Sequence, residues 1–121
     1  NVQEGVSFIC HCCSCCCGLL AGINELDIPN AVAPSGFLPK VTEKTCVGCG
    51  LCAERCPVNA IVLDEVREKP VVTPDRCLGC GVCASGCPTE AITMIRRKTW
   101  APPPRNTGSK FYRIAKEKGK L

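Results

Sequence analysis

Large apolar and aromatic side chains are scarce in this 121-residue chain. Five residues are aromatic, one is methionine and one is histidine. The hydrophobic share of 45% includes 14 cysteines; without them 41 residues, about a third, are apolar. A chain this short buries a low fraction of its surface, so side-chain packing alone is a thin basis for a fold. Long hydrophobic runs are also missing. No stretch of 18 apolar residues occurs, which excludes a membrane-spanning helix. Residues 6–23, the most apolar early stretch, hold six cysteines and a histidine, with no basic region before them. They do not read as a signal peptide. The thiols are therefore expected in a reducing, cytoplasmic compartment, where metal is favoured over disulfides. The chain begins at Asn1 rather than methionine, which suggests processing or the end of something longer. No nucleophile or acid–base pair stands out, so the chain is expected to catalyse nothing by itself.

What the sequence has in excess is cysteine, and its distribution organises the chain. Residues 1–39 hold a packed cysteine segment followed by a connector with Pro29, Pro34, Ser35, Gly36 and Pro39, read as extended. Residues 40–95 contain an internal repeat, and residues 96–121 form a basic tail. In the repeat, CVGCGLCAERCPVNAI from Cys46 aligns with CLGCGVCASGCPTEAI from Cys77, at an offset of 31 residues. Ten of the sixteen positions are identical. Each unit ends in a run of β type, Ala60 to Asp64 and Ala91 to Ile95. Extended stretches precede them, around Val41 and at Val71 to Thr73. Room for a turn or two of helix lies after Gly50 and after Gly81. The expected class is α+β, with two pseudo-symmetric halves. Ile61, Val62, Leu63, Val71, Val72, Ile92, Met94 and Ile95 are the expected apolar packing.

Within each unit the cysteines fall as C-x2-C-x2-C-x3-C-P. Three thiolates spaced by three on a tight loop can converge on three corners of a cubane cluster. Gly48, Gly50, Gly79 and Gly81 allow the backbone to curl close to it, and the freed N–H groups can face its sulfur. Zinc sites place two C-x2-C pairs apart rather than three cysteines in one loop, and disulfides do not suit a reducing compartment. The segment resembles the bacterial-type ferredoxin domain with two [4Fe–4S] clusters. The resemblance implies a ferredoxin-like fold and cross-ligation, in which the fourth cysteine serves the other cluster. Cluster I would then take Cys46, Cys49, Cys52 and Cys87, and cluster II Cys77, Cys80, Cys83 and Cys56. It also implies one-electron transfer between redox partner proteins, as a free carrier or as a subunit or relay domain of a larger complex.

Six further cysteines, Cys10, Cys12, Cys13, Cys15, Cys16 and Cys17, lie within eight positions, with His11 among them. Cys10, Cys13 and Cys16 repeat the C-x2-C-x2-C register of the downstream loops, and Cys12 and Cys15 repeat its three-residue step. A third iron–sulfur cluster on Cys10, Cys13 and Cys16 plus one more thiolate is one reading. Zinc or another soft metal is a second. Thiols that bind nothing, being packed or oxidised, or that act as a redox sensor, are a third. The segment resembles cysteine-rich stretches that precede dicluster domains in larger iron–sulfur proteins of anaerobes.

Charge is segregated. From Arg96 onward there are nine basic residues and one acidic; residues 1–95 hold six basic and ten acidic. The tail reads as an arm for an acidic redox partner, as a match for an acidic face of the protein itself, or as a solvated tail. Phe111, Tyr112 and Ile114 are the expected anchors of a helix from Ser109 to Lys118. No nucleic-acid-binding motif accompanies the basic residues, and nucleic acid is not an expected partner.

Overall fold

Branched and aromatic residues concentrate in four short runs around the cysteine loops, and each forms a strand, where such side chains pack well on a pleated surface. In the computed structural model, which describes residues 2–7, 9–28 and 31–121, these are β1 (Phe37–Val41), β2 (Ile61–Asp64), β3 (Lys69–Val72) and β4 (Ile92–Arg96). β1 pairs antiparallel with β4, and β2 pairs antiparallel with β3. The register carries the sequence repeat into space: Val41 faces Ile92, and Val72, 31 residues after Val41, faces Ile61. The α+β class holds, as two small two-stranded sheets with short helices. The turns of helix expected after Gly50 and Gly81 are α2 (Leu51–Glu54) and α3 (Val82–Ser85).

β1 begins at Phe37, inside the stretch read from sequence as connector. Pro39 concealed it. A proline removes a ladder donor, yet in a two-stranded sheet every strand is an edge strand and has one unpaired side. Pro39 sits opposite Met94, and its repeat counterpart Pro70 sits opposite Leu63; both prolines are buried. The strands bury less than expected. Ile61 and Ile92 are buried, and Leu63, Val72 and Met94 are half-buried. Val62, Val71 and Ile95 alternate to the outer face and are exposed.

Another part of the core comes from a helix that the cysteine-rich reading did not anticipate, α1 (Gly18–Glu25). Leu20 and Ile23, three residues apart, share one face. They pack with Val58, Ala60 and Cys77, while Cys17 and Cys56 lie against the same group. Ile23 is fully buried. Polar contacts pin this helix in place. Asn24 Nδ2 donates to the Pro57 carbonyl at 3.0 Å. Arg76 donates to the carbonyls of Val58 at 2.6 Å and Ile23 at 3.0 Å, and pairs with Asp27. A cation among the last carbonyls of a helix is favourable in itself. The second group, Ile61, Cys83 and Ile92, has no share of α1.

Residues 12–100 make one unit, and the chain ends make another. In the latter, the main-chain N–H groups of Gln3 and Glu4 donate to the carbonyls of Pro104 and Arg105 at 3.1 and 2.8 Å. Its helix, α4 (Thr107–Glu117), starts two residues earlier than the sequence suggests, because the Asn106 side chain accepts the Ser109 N–H at 3.0 Å. Of the three expected anchors, Phe111 and Tyr112 are both 63% exposed and Ile114 is 36% exposed. Among those residues no helix is long and apolar enough to cross a membrane.

Candidate metal centres

Each cysteine loop leaves its strand at a threonine whose carbonyl accepts the N–H of the first cysteine. Cys46 donates to Thr42 and Cys77 to Thr73, both at 3.1 Å. Two residues on, Gly48 and Gly79 adopt φ +70°, a conformation that disfavours side chains. Space forbids a side chain there as well. A Cβ at Gly48 would lie 2.5 Å from the Glu68 carbonyl oxygen, and one at Gly79 would collide with the Phe37 carbonyl and Ser35 Oγ. The second loop is fastened by Ser35, whose N–H donates to the Leu78 carbonyl at 2.8 Å and whose hydroxyl donates to the Gly79 carbonyl at 2.7 Å.

The fourth cysteine of each unit is held differently. After Cys56-Pro57 and Cys87-Pro88 the chain passes through Asn59 and Glu90, both at φ +51°. That reversal aims the next N–H back at sulfur. Ala60 donates to Cys56 Sγ at 3.2 Å, and Ala91 donates to Cys87 Sγ at 3.3 Å. Sequence reading placed the N–H···S donors at the glycine loops and missed this pair. Asn59 is a residue type that tolerates the left-handed region; Glu90 carries no such signal.

The loops enclose two cavities. One, of about 340 Å³ including its open mouth, is lined by Cys46, Cys49 and Cys52 of the first unit and Cys87 of the second, with Leu51, Pro70 and Ile92. The other, of about 320 Å³, is lined by Cys77, Cys80 and Cys83 of the second unit and Cys56 of the first, with Pro39, Ile61 and Met94. Cys77 and Cys83 are buried, whereas Cys46 and Cys52 are half-buried; Cys49 and Cys80 are exposed. Burial pushes the Cys52 and Cys77 thiols up, and Cys83 to about 11. At Cys87 burial also pushes upward, but the Ala91 N–H and the Thr89 hydroxyl outweigh it and leave the thiol below its ordinary value. A cation stands at the first cysteine of each unit. Lys69 Nζ donates to the Cys46 carbonyl, and Arg97 donates to the Cys77 carbonyl, each at 2.5 Å. Arg97 also reaches the carbonyls of Ser35, Phe37 and Pro74, so this member of the basic tail is a clamp rather than a solvated charge.

Four soft ligands per cavity, backbone N–H donors on the sulfurs and apolar walls are the surroundings in which proteins hold iron–sulfur clusters. The donor set fits that group, and residues 36–94 match the family model of the 4Fe-4S dicluster domain. No curated protein matches the chain. The segment is thus an iron–sulfur domain.

The N-terminal cysteines are arranged otherwise. The sulfurs of Cys13, Cys15 and Cys16, all exposed, lie within 4.8 Å of one another. Of the expected set Cys10, Cys13 and Cys16, the last two are brought together; Cys15 completes the group, and Cys10 is not part of it. Cys13 and Cys15 form a disulfide, the oxidised state included in the third reading of this segment although a reducing compartment disfavours it. Cys17 stands at the N-cap of α1. The N–H groups of Leu20 and Leu19, followed by the Cys12 side chain, pull its thiol below the ordinary value.

Proposed function

We propose that residues 36–96 hold two [4Fe–4S] clusters and transfer single electrons between partner proteins in a reducing, cytoplasmic setting, as a ferredoxin or as the ferredoxin-like part of a redox complex. The observation that carries this reading is the composition of the two cavities. Each gathers three cysteines from one repeat and the fourth from the other, which is the ligand pattern of a cross-ligated pair. When bound, each cluster supplies one reversible electron; the protein's own groups set how readily. The N–H groups of Ala60 and Ala91 stabilise negative charge on Cys56 and Cys87 sulfur. Lys69 and Arg97 add positive charge near each site. Cys49 and Cys80, exposed at the rims, give a partner its closest approach to either centre. The basic residues after Arg97 favour an acidic partner through long-range attraction.

The test is iron and sulfide per chain in anaerobically prepared protein, with Cys56→Ser beside it. About eight iron is expected, counting four per core. Cys56→Ser should damage the centre held by Cys77, Cys80 and Cys83 more than the one held by Cys46, Cys49 and Cys52. Zinc in place of iron would end the proposal, and damage confined to the local centre would reject the cross-ligation.

A further inference from the structure

The six N-terminal cysteines have no part in the two cavities, and three of them stand in a different geometry from the other eight. Among the described residues, Cys13, Cys15 and Cys16 are the one trio of metal-binding side chains whose donor atoms all lie within 4.8 Å of one another. No three of the eight sulfurs around the cavities come that close together. The difference separates two kinds of guest. A cubane's cysteine sulfurs bind different iron atoms and are held apart by the width of the core. Around a single zinc(II), with Zn–S of about 2.3 Å and tetrahedral angles, sulfurs stand about 3.8 Å apart. The Cys13–Cys15 bond draws two of these sulfurs together; once it is opened, the shift to about 3.8 Å around one ion is smaller than the shift a cluster requires.

We propose that Cys13, Cys15 and Cys16 form a redox-gated site for a single thiophilic cation of the zinc(II) type. Thiolates select such ions over hard ones. The gate is the Cys13–Cys15 disulfide. A dithiol reductant opens it by thiol–disulfide exchange: the S–S bond takes two electrons and two protons and becomes two thiols, while the reductant closes to its own disulfide. Zinc(II) then displaces three protons from the three thiols and keeps its fourth position for water. All three ligands are exposed, so reductant and ion both reach the site from solvent. Zinc(II) carries no electron of its own. The site therefore reports the thiol redox state beside the electron-transfer domain without lengthening its electron path.

The experiment uses the full chain with its iron in place. Under argon, protein treated with a water-soluble phosphine, which converts the disulfide to two thiols and becomes the phosphine oxide, is dialysed against zinc(II). Metal content is then measured. About one zinc per chain should be gained at unchanged iron, and none without the phosphine. The variant carrying Cys13→Ser, Cys15→Ser and Cys16→Ser should gain no zinc and keep its iron, whereas Cys10→Ser should behave like the parent. Cadmium(II) used in place of zinc should give a thiolate charge-transfer band in the parent alone of the first two. Zinc uptake by the triple variant, uptake without reduction, or loss of uptake in Cys10→Ser would overturn the proposal. So would about twelve iron per chain, four per core for three cores, or iron lost together with the trio, since either places a cluster at these cysteines. Because iron is read in the same samples, failure here leaves the two-cluster reading standing or falling on its own count.

Discussion

Gly79→Ala is the substitution whose cost the structure specifies most closely. Two penalties apply. At φ +70° a Cβ costs about 1–2 kcal/mol in backbone energy. The same Cβ would also collide with the Phe37 carbonyl and Ser35 Oγ. Neither can retreat cheaply. Phe37 is the first residue of β1, opposite Arg96, and Ser35 donates its hydroxyl to Gly79 itself. Overpacking of a fixed environment costs about 1–3 kcal/mol, giving a total near 2–5 kcal/mol against a domain stability of about 5–15. Gly81→Ala is the matched control. It has φ +81° and nothing within 4 Å of the added Cβ, so only the backbone penalty remains. The assay is thermal bleaching of the visible cluster absorbance at one scan rate, under anaerobic conditions. At roughly 4–8 °C per kcal/mol for a domain of this size, Gly81→Ala should lose about 4–16 °C and Gly79→Ala at least twice as much. Equal losses would show that the tight fit of the loop against β1 is not what requires glycine, and the reasoning would fail.

Ile23→Ala, at a fully buried position, should cost about 2–5 kcal/mol. It should also hasten loss of the centre at Cys77, Cys80 and Cys83 before the other, as seen by following the two centres' spectra during chelation. Lys69→Met and Arg97→Met each remove a cation beside one cysteine carbonyl. Each should lower the potential of the adjacent centre by about 40 mV, the equivalent of about 1 kcal/mol for nearby unit charges, in a redox titration that resolves the two. Burial holds the Cys83 thiol up to about 11 and raises Cys52 and Cys77, so binding iron must expel their protons. Cluster assembly on the iron-free chain should quicken between about pH 7 and 9, since each unit of pH raises the thiolate fraction tenfold. The sign for stability is opposite. With the folded pKa raised, the iron-free fold keeps its stability below the ordinary thiol value and loses it as pH climbs toward 11. Circular dichroism melts of iron-free protein check this.

The repeat made much of the fold legible. Once the two sixteen-residue units are aligned, β2, β4, α2 and α3 follow from composition and from the glycines before each helix. The ligand assignment comes from the family resemblance, and each cavity is lined by three cysteines of one unit and the fourth of the other. What escaped notice depends on tertiary context. Pro39 argues against a strand until one sees that β1 has a single neighbour. Helix α1 is short, starts at a glycine and follows a run of cysteines. Its one signal is the spacing of Leu20 and Ile23, and its stability comes from Val58, Ala60 and the Arg76 contacts, all far away in sequence. The Ala60 and Ala91 donors are invisible because any residue but proline has an N–H; the aim comes from Asn59 and Glu90. Cys15 in place of Cys10 could not be chosen by a rule of threes, because neighbouring cysteines in an irregular segment converge through backbone turns.

The exchange of strands between the halves has a consequence for how such a chain could arise. Each sheet pairs the first strand of one unit with the last strand of the other, and each cavity borrows its fourth cysteine in the same way. A lone unit would have neither a paired strand nor a full ligand set. Two identical copies would satisfy every one of these needs through a two-fold axis. The domain is laid out as a homodimer whose subunits have been joined end to end. Joining freed the copies to differ, and α1 marks the difference: it covers the side of Cys77 and Cys56 alone, a lopsidedness that no symmetric pair of separate chains could have kept.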